Sequence, residues 1–107
     1  MSYEDLYEVL VEIVAVRGKC AAGYRSGDKF MINGFYIDPM KCKAKICIHA
    51  LTAMISLLSP FLHGVSAKFL GIGDKEDEGY LQCPDPGKPY TCGGTVVFKV
   101  KRLSRIT

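Results

Sequence analysis

The sequence predicts a small α+β domain spanning residues 1–107, in which a mostly antiparallel sheet packs on one central apolar helix. Three observations support this. A chain of 107 residues can bury one modest core. Two long β-rich runs lie towards opposite ends of the chain, and one uncharged run of helical periodicity lies between them. The content of 49% hydrophobic and 23% charged residues is typical of a globular protein and excludes a disordered chain.

The first β-rich run covers Tyr7–Arg17 and is followed by a shorter one. Within this run, both alternating faces of Val9–Val16 are apolar except at Glu12, which predicts a strand covered on both sides. Asp28–Asn33 is predicted to be a short strand, and Asn33 followed by Gly34 favours a tight turn.

The last run, Thr95–Leu103, alternates cleanly between apolar and polar residues. It predicts a half-exposed strand that turns Val96, Phe98 and Val100 inward and Val97, Lys99 and Lys101 outward. The lysines favour an edge position, because charges on an edge strand prevent pairing with other chains. Before this strand, Asp74–Glu78 is predicted to be a solvated acidic loop, and Cys83–Gly87 a rigid turn because of its two prolines.

The central helix is predicted from Ile46 onward, although Asp38 followed by Pro39 is also a helix-start signal. Pro60 is expected to end the helix. The 22 residues from Ile46 to Ala67 carry no formal charge. Their apolar helical part ends at Leu58 and is about 20 Å long, too short for a bilayer core. We therefore predict a core or interface helix and no membrane association.

Five cysteines, at positions 20, 42, 47, 83 and 92, are the most unusual feature of so short a chain. Residues 1–10 are acidic and do not resemble a secretory signal, so we predict a cytoplasmic protein with reduced thiols. Reduced thiols favour metal or cluster ligation. Redox-active or disulfide-bonded cysteines, and cysteines that simply pack in the core, stay open as alternatives.

Cys20, Cys47 and Cys83 are the strongest site candidates, because each lies where the backbone is expected to turn. Cysteines on loops can converge on one point, whereas cysteines within strands usually pack in the core. His49 is two residues from Cys47, about 200° around a regular helix, so the two are not expected to bind one metal ion.

Three segments also carry a family resemblance: GKCAAGYRSGDKF, ICIHALTAMISLLSPFLHG, and LQCPDPG with TVVFKVKRL. They resemble an uncharacterised family of small cysteine-containing proteins from anaerobic bacteria and archaea, in which the domain is sometimes repeated. The resemblance implies that the family's cysteines are Cys20, Cys47 and Cys83, and that Cys42 and Cys92 are particular to this chain. Ile48 departs from the proline or aspartate that usually follows the family's second cysteine.

Two kinds of metal centre are consistent with these cysteines. Three thiolates with one open position suit a [4Fe–4S] cluster. A fourth thiolate, from Cys42 or Cys92, would instead complete a Cys₄ site for zinc or for an electron-transfer cluster.

The sequence therefore predicts first a metal-binding or iron–sulfur module of unassigned reaction, with a redox or other protein partner. The alternative is a homo-oligomeric interaction module built on the apolar helix. A third hypothesis is a thiol enzyme in which the helix start and Lys41, Lys43 and Lys45 activate Cys47. A net charge of +3 without interleaved aromatic residues does not indicate nucleic-acid binding.

Overall fold

The computed structural model describes residues 6–106 and confirms the α+β class. Four strands form one antiparallel sheet in the order β2-β1-β4-β3, and one helix packs against it. The elements are β1 (Tyr7–Gly18), β2 (Lys29–Asn33), α1 (Ile48–Leu62), β3 (Glu78–Gln82) and β4 (Gly94–Arg105). Within this range no helix is both long and apolar enough to cross a bilayer.

The core lies between α1 and one face of the long β1–β4 pair. Val11 of β1 lies opposite Val100 of β4, and both are fully buried. The inward residues expected for β4 are confirmed, since Val96, Phe98 and Val100 are each at most 1% exposed. The helix contributes its own buried side chains to this core: Ala50, Met54, Leu58, Phe61 and Leu62.

The prediction that β1 is covered on both sides is wrong. Its second face, with Leu10 and Glu12, is only half-buried, because the single helix covers one face of the sheet. Glu12 lies between Lys29 of β2 and Lys99 of β4 in the strand register. Cross-strand pairs of opposite charge stabilise a solvated sheet face, which explains the charge at Glu12.

The prediction that β4 is an edge strand is also wrong, because β4 lies between β1 and β3. Its outward lysines face Glu78, the first residue of β3, whose carboxylate lies 3.5 Å from Lys99 Nζ and 3.8 Å from Lys101 Nζ. The acidic segment 74–78 is therefore not wholly a solvated loop. Its last residue starts a strand that the sequence pattern did not predict.

The helix begins later and ends later than predicted. Asp38 caps a separate 3₁₀ turn over Pro39–Lys41 by accepting a hydrogen bond from the Met40 N–H, and α1 itself starts at Ile48, with Cys47 as the N-cap. Pro60 lies inside the helix rather than after it. Because Pro60 has no N–H, the Ser56 carbonyl lacks its hydrogen-bond donor within the helix. Water can donate to this carbonyl instead, because Ser56 is exposed.

Arg102 joins β4 to the end of the helix and to the segment that precedes β3. Its buried guanidinium donates to the carbonyl oxygens of Phe61 (2.8 Å), Val65 (2.7 Å) and Glu76 (2.6 Å), and to the Asp77 carboxylate (2.9 Å). It also stacks 4.3 Å from the Phe61 ring centroid. One buried cation thus satisfies carbonyl groups at the end of the helix and in the irregular segment that follows it.

Candidate thiol pocket

Three loops meet at one side of the helix start and line a half-open cavity of about 340 Å³, which we call the thiol pocket. Cys20 reaches it from the loop after β1, Cys47 from the helix N-cap, and Cys83 from the residue directly after β3. The three cysteines selected from the sequence therefore line one cavity. The other lining residues are Ala21, Ala22, Tyr24, His49, Ala50, Pro84, Asp85, Pro86, Thr91, Val96 and Phe98.

Cys20 is placed by a tight turn in the loop between β1 and β2. The Gly23 N–H donates to the Cys20 carbonyl at 3.0 Å, and Gly23 has a φ of +76°, a conformation that favours glycine. The turn returns the chain towards the sheet, where the Tyr24 ring packs edge-on against Phe98 at 5.7 Å between centroids. Cys20 is thus held by a buried aromatic anchor four residues away.

Tyr24 also connects this loop to the helix start. Its hydroxyl oxygen accepts a hydrogen bond from the Cys47 backbone N–H at 2.7 Å. Burial raises the pKa of Tyr24 above its ordinary value, although the hydrogen bond from the Cys47 N–H lowers it. The electrostatic effects of the Cys47, Cys20 and Asp28 side chains raise it further. Both thiols thus lie near enough to act electrostatically on one phenol.

Cys47 occupies the N-cap position in an extended conformation, with φ −73° and ψ 120°. Its side chain makes no capping hydrogen bond to the first turn, unlike the serine or aspartate usual at this position. Because Cys47 precedes the helix, the 200° separation from His49 expected on a regular helix does not apply. Both residues line the thiol pocket.

Cys83 is the most buried of the five cysteines, at 7% exposure. Its sulfur accepts a hydrogen bond from the Val96 N–H at 3.2 Å and lies 3.7 Å from the Gly94 carbonyl oxygen. The Cys83 thiol also lies 3.9 Å from the Asp85 carbonyl oxygen, so contacts with backbone groups fix the position of its sulfur.

Cys42 and Cys92, the alternative fourth ligands, do not line this pocket. The Cys42 sulfur lies 3.9 Å from the Met31 carbonyl oxygen. Cys92 is exposed and lines a different cavity. Between residues 6 and 106, all five cysteines are free thiols, and no three Cys, His, Asp or Glu side chains are grouped closely enough to hold a metal ion.

Sequence reasoning missed Tyr24 and the position of His49. A tyrosine in a glycine-rich loop carries no sequence signal for a buried contact with a residue 23 positions away. The predicted separation of His49 from Cys47 is wrong because the helix starts at Ile48 and not at Ile46, so Cys47 lies outside it. No family model, curated protein or solved structure matches this chain, so the family resemblance stays a prediction.

Proposed function

We propose that this protein is a small metal-binding module in which Cys20, Cys47 and Cys83 hold an iron–sulfur cluster. The observation that carries the proposal is that cysteines from three separate loops line one largely apolar cavity. Thiolates are the usual ligands of such clusters.

We prefer a cluster to a single zinc ion, because a cluster occupies a larger site. A tetrahedral zinc site with Zn–S bonds of about 2.3 Å needs its sulfur atoms about 3.8 Å apart. Residues 6–106 contain no side-chain group that compact. In a cluster each cysteine binds a different iron atom, so thiols on separate walls of one cavity fit its larger size.

His49 is a protein candidate for binding the fourth iron of such a cluster. His49 lines the same cavity as the three cysteines, whereas Cys42 and Cys92 do not. Imidazole replaces thiolate at some biological iron–sulfur centres and raises their reduction potential. We therefore infer either His49 ligation or an open iron at the fourth position.

The proposal is tested by anaerobic reconstitution with iron and sulfide, followed by metal analysis and an ultraviolet–visible spectrum. We expect iron and sulfide in stoichiometric amounts and broad visible absorbance. Cys20→Ser and Cys47→Ser should each lose most of this absorbance, while the matched controls Cys42→Ser and Cys92→Ser should retain it. Folded wild-type protein that stays colourless and iron-free, or equal losses in all four variants, would refute the proposal.

A second candidate function is self-association, supported by a different surface. The outer face of α1 exposes Ile48 (71%) and Ile55 (47%), next to Phe35 (66%) and Tyr36 (58%). A groove of about 310 Å³ lies between the helix and the turn that follows β2. His63 lines this groove, and its buried Nδ1 has no hydrogen-bond partner within residues 6–106, which is uncommon in folded proteins.

The occupant we infer for this groove is a second copy of the chain. Because α1 carries no acidic or basic side chain apart from His49, two copies facing each other across it would meet no like-charge repulsion. Sedimentation of the wild type at micromolar concentration should show a dimer. Ile55→Glu should give a monomer, whereas Lys68→Glu, on an exposed residue outside the groove, should not. A wild-type monomer at these concentrations would refute this candidate.

A further inference from the structure

A second cavity lies on the other side of the loop that carries Cys83, and it is basic. Its volume is about 570 Å³, and two segments distant in sequence form it: residues 17–19 at the end of β1 and residues 86–95 before and within β4. Arg17, Lys19 and Lys88 line it, and no acidic residue does. We call it the basic cavity; its remaining lining residues are Gly18, Pro86, Gly87, Cys92, Gly93 and Thr95.

Glycines make this convergence of cationic residues possible. A Cβ at Gly18 would lie 3.1 Å from the Gly93 carbonyl oxygen, and a Cβ at Gly94 would lie 2.7 Å from the Lys19 nitrogen. The two backbones can touch only because these side chains are absent. The same close contact brings Arg17 and Lys19 to the cavity that Lys88 lines from the other segment.

The Asp85 carboxylate, which lies beside Gly93 of the cavity wall, is occupied by hydrogen bonds within its own loop. It accepts from the Gly87 N–H at 2.9 Å and from the Thr91 hydroxyl. These hydrogen bonds stabilise the loop 85–91, part of which lines the basic cavity. The charge of Asp85 offsets one of the three cations, which leaves a net charge of about two positive units for a ligand.

We propose that the basic cavity binds the pyrophosphate group of a small phosphorylated molecule. Arginine offers a planar fork of donors that matches phosphate oxygens, and lysines add point charges. A volume of about 570 Å³ falls within the roughly 300–1,000 Å³ typical of small-molecule sites. A single phosphate ion would leave much of the cavity empty, whereas a diphosphate with an attached group would fill it. This proposal does not depend on a cluster in the thiol pocket.

The test is isothermal titration calorimetry of the purified protein with inorganic pyrophosphate, at about 0.15 M salt, where diffuse attraction is screened. We expect saturable binding with one site per chain. Arg17→Gln combined with Lys88→Gln should weaken it at least tenfold. The matched control, Lys29→Gln with Lys43→Gln, removes the same charge from another cavity, of about 360 Å³, which also contains Asp28. That control should bind within twofold of the wild type.

Two outcomes would overturn the proposal. One is the absence of saturable pyrophosphate binding by folded wild-type protein at millimolar concentration. The other is equal weakening in both double variants, which would indicate general attraction to a basic protein. Both double variants should keep the fold, because all four substituted side chains are exposed. Circular dichroism of each variant checks this.

Discussion

Replacing Arg102 by leucine should be among the most destabilising single changes in this domain. The side chain of Arg102 is 4% exposed, and its guanidinium makes four hydrogen bonds, three of them to carbonyl oxygens. Leucine fills part of the volume but leaves those carbonyls without a donor. Hydrogen bonds to a charged donor contribute about 1.5–3 kcal/mol each, and some of the carbonyls regain water after local rearrangement. We therefore expect a loss of about 3–5 kcal/mol in the free energy of unfolding.

Urea denaturation followed by circular dichroism measures this loss. Arg102→Lys should be intermediate, because an ammonium group keeps the charge but cannot span all four acceptors. The matched control is Asp77→Asn, which removes only the ion pair. The Asp77 side chain is 69% exposed, so this change should cost about 1 kcal/mol or less. If Arg102→Leu costs under 1 kcal/mol, or if Asp77→Asn costs as much as Arg102→Leu, the backbone carbonyls are not what Arg102 stabilises.

Three further predictions follow from other contacts. Tyr24→Phe removes the acceptor of the Cys47 N–H and should lower the free energy of unfolding by about 1–2 kcal/mol. The control Tyr36→Phe, at an exposed tyrosine, should change it by less than about 0.5 kcal/mol. Equal effects of the two substitutions would contradict the role given to Tyr24. Gly94→Ala forces its Cβ against the Arg17 carbonyl oxygen and should lower the free energy of unfolding by roughly 2 kcal/mol or more. Gly23→Ala, with positive φ and open space around it, should lower it by about 1–2 kcal/mol through backbone conformation alone. An unchanged free energy of unfolding in Gly94→Ala would show that the backbones at Arg17 and Gly94 are not in contact. Folding lowers the pKa of Glu78 from 4.5, chiefly through Lys75, and that of Asp85 from 3.8, through the Thr91 hydroxyl and the Gly87 N–H. Both carboxylates therefore stabilise the fold above those values, and this contribution is lost as the pH falls through their lower folded pKa values. The free energy of unfolding should depend less on acid pH in Glu78→Gln and Asp85→Asn, and an unchanged pH profile in both variants would contradict this assignment.

Much of the fold could be predicted from the sequence, because its strongest signals are local. The apolar runs of β1 and β4 and the periodicity of α1 reflect burial against one core, and each of these elements is present. The position of β4 could not be predicted in this way. Its alternating lysines are equally typical of an edge strand and of a central strand with an acidic neighbour, and the neighbour is Glu78.

The strand β3 escaped prediction because its stability comes from contacts distant in sequence. Its sequence, EGYLQ, contains a charge and a glycine, both uncommon in strands. Gly79 is required there because Ile72 packs where a side chain would be: a Cβ would lie 2.7 Å from Ile72 Cγ1. Pairing with the long β4 then forms the strand.

The candidate site was predictable in part. Cys20, Cys47 and Cys83 were selected because they lie at turns, and the structure brings all three to the thiol pocket. The exclusion of Cys42 and Cys92 from that pocket depends on the path of the loops, which the sequence pattern does not determine. The basic cavity was not predicted, because its cationic residues come from segments separated by about seventy positions.

The most direct test of the proposed cluster is to count which thiols it protects. Anaerobically reconstituted protein would be treated with an alkylating reagent, then unfolded, and the labelled cysteines identified by mass spectrometry. We predict that the half-buried Cys20 and Cys47 become protected together and only after reconstitution with iron and sulfide, and that buried Cys83 is protected both before and after. Exposed Cys92 should be labelled equally before and after. New protection of Cys42 or Cys92, or labelling of Cys20 and Cys47 that reconstitution does not change, would contradict the proposal that the pocket cysteines hold one cluster.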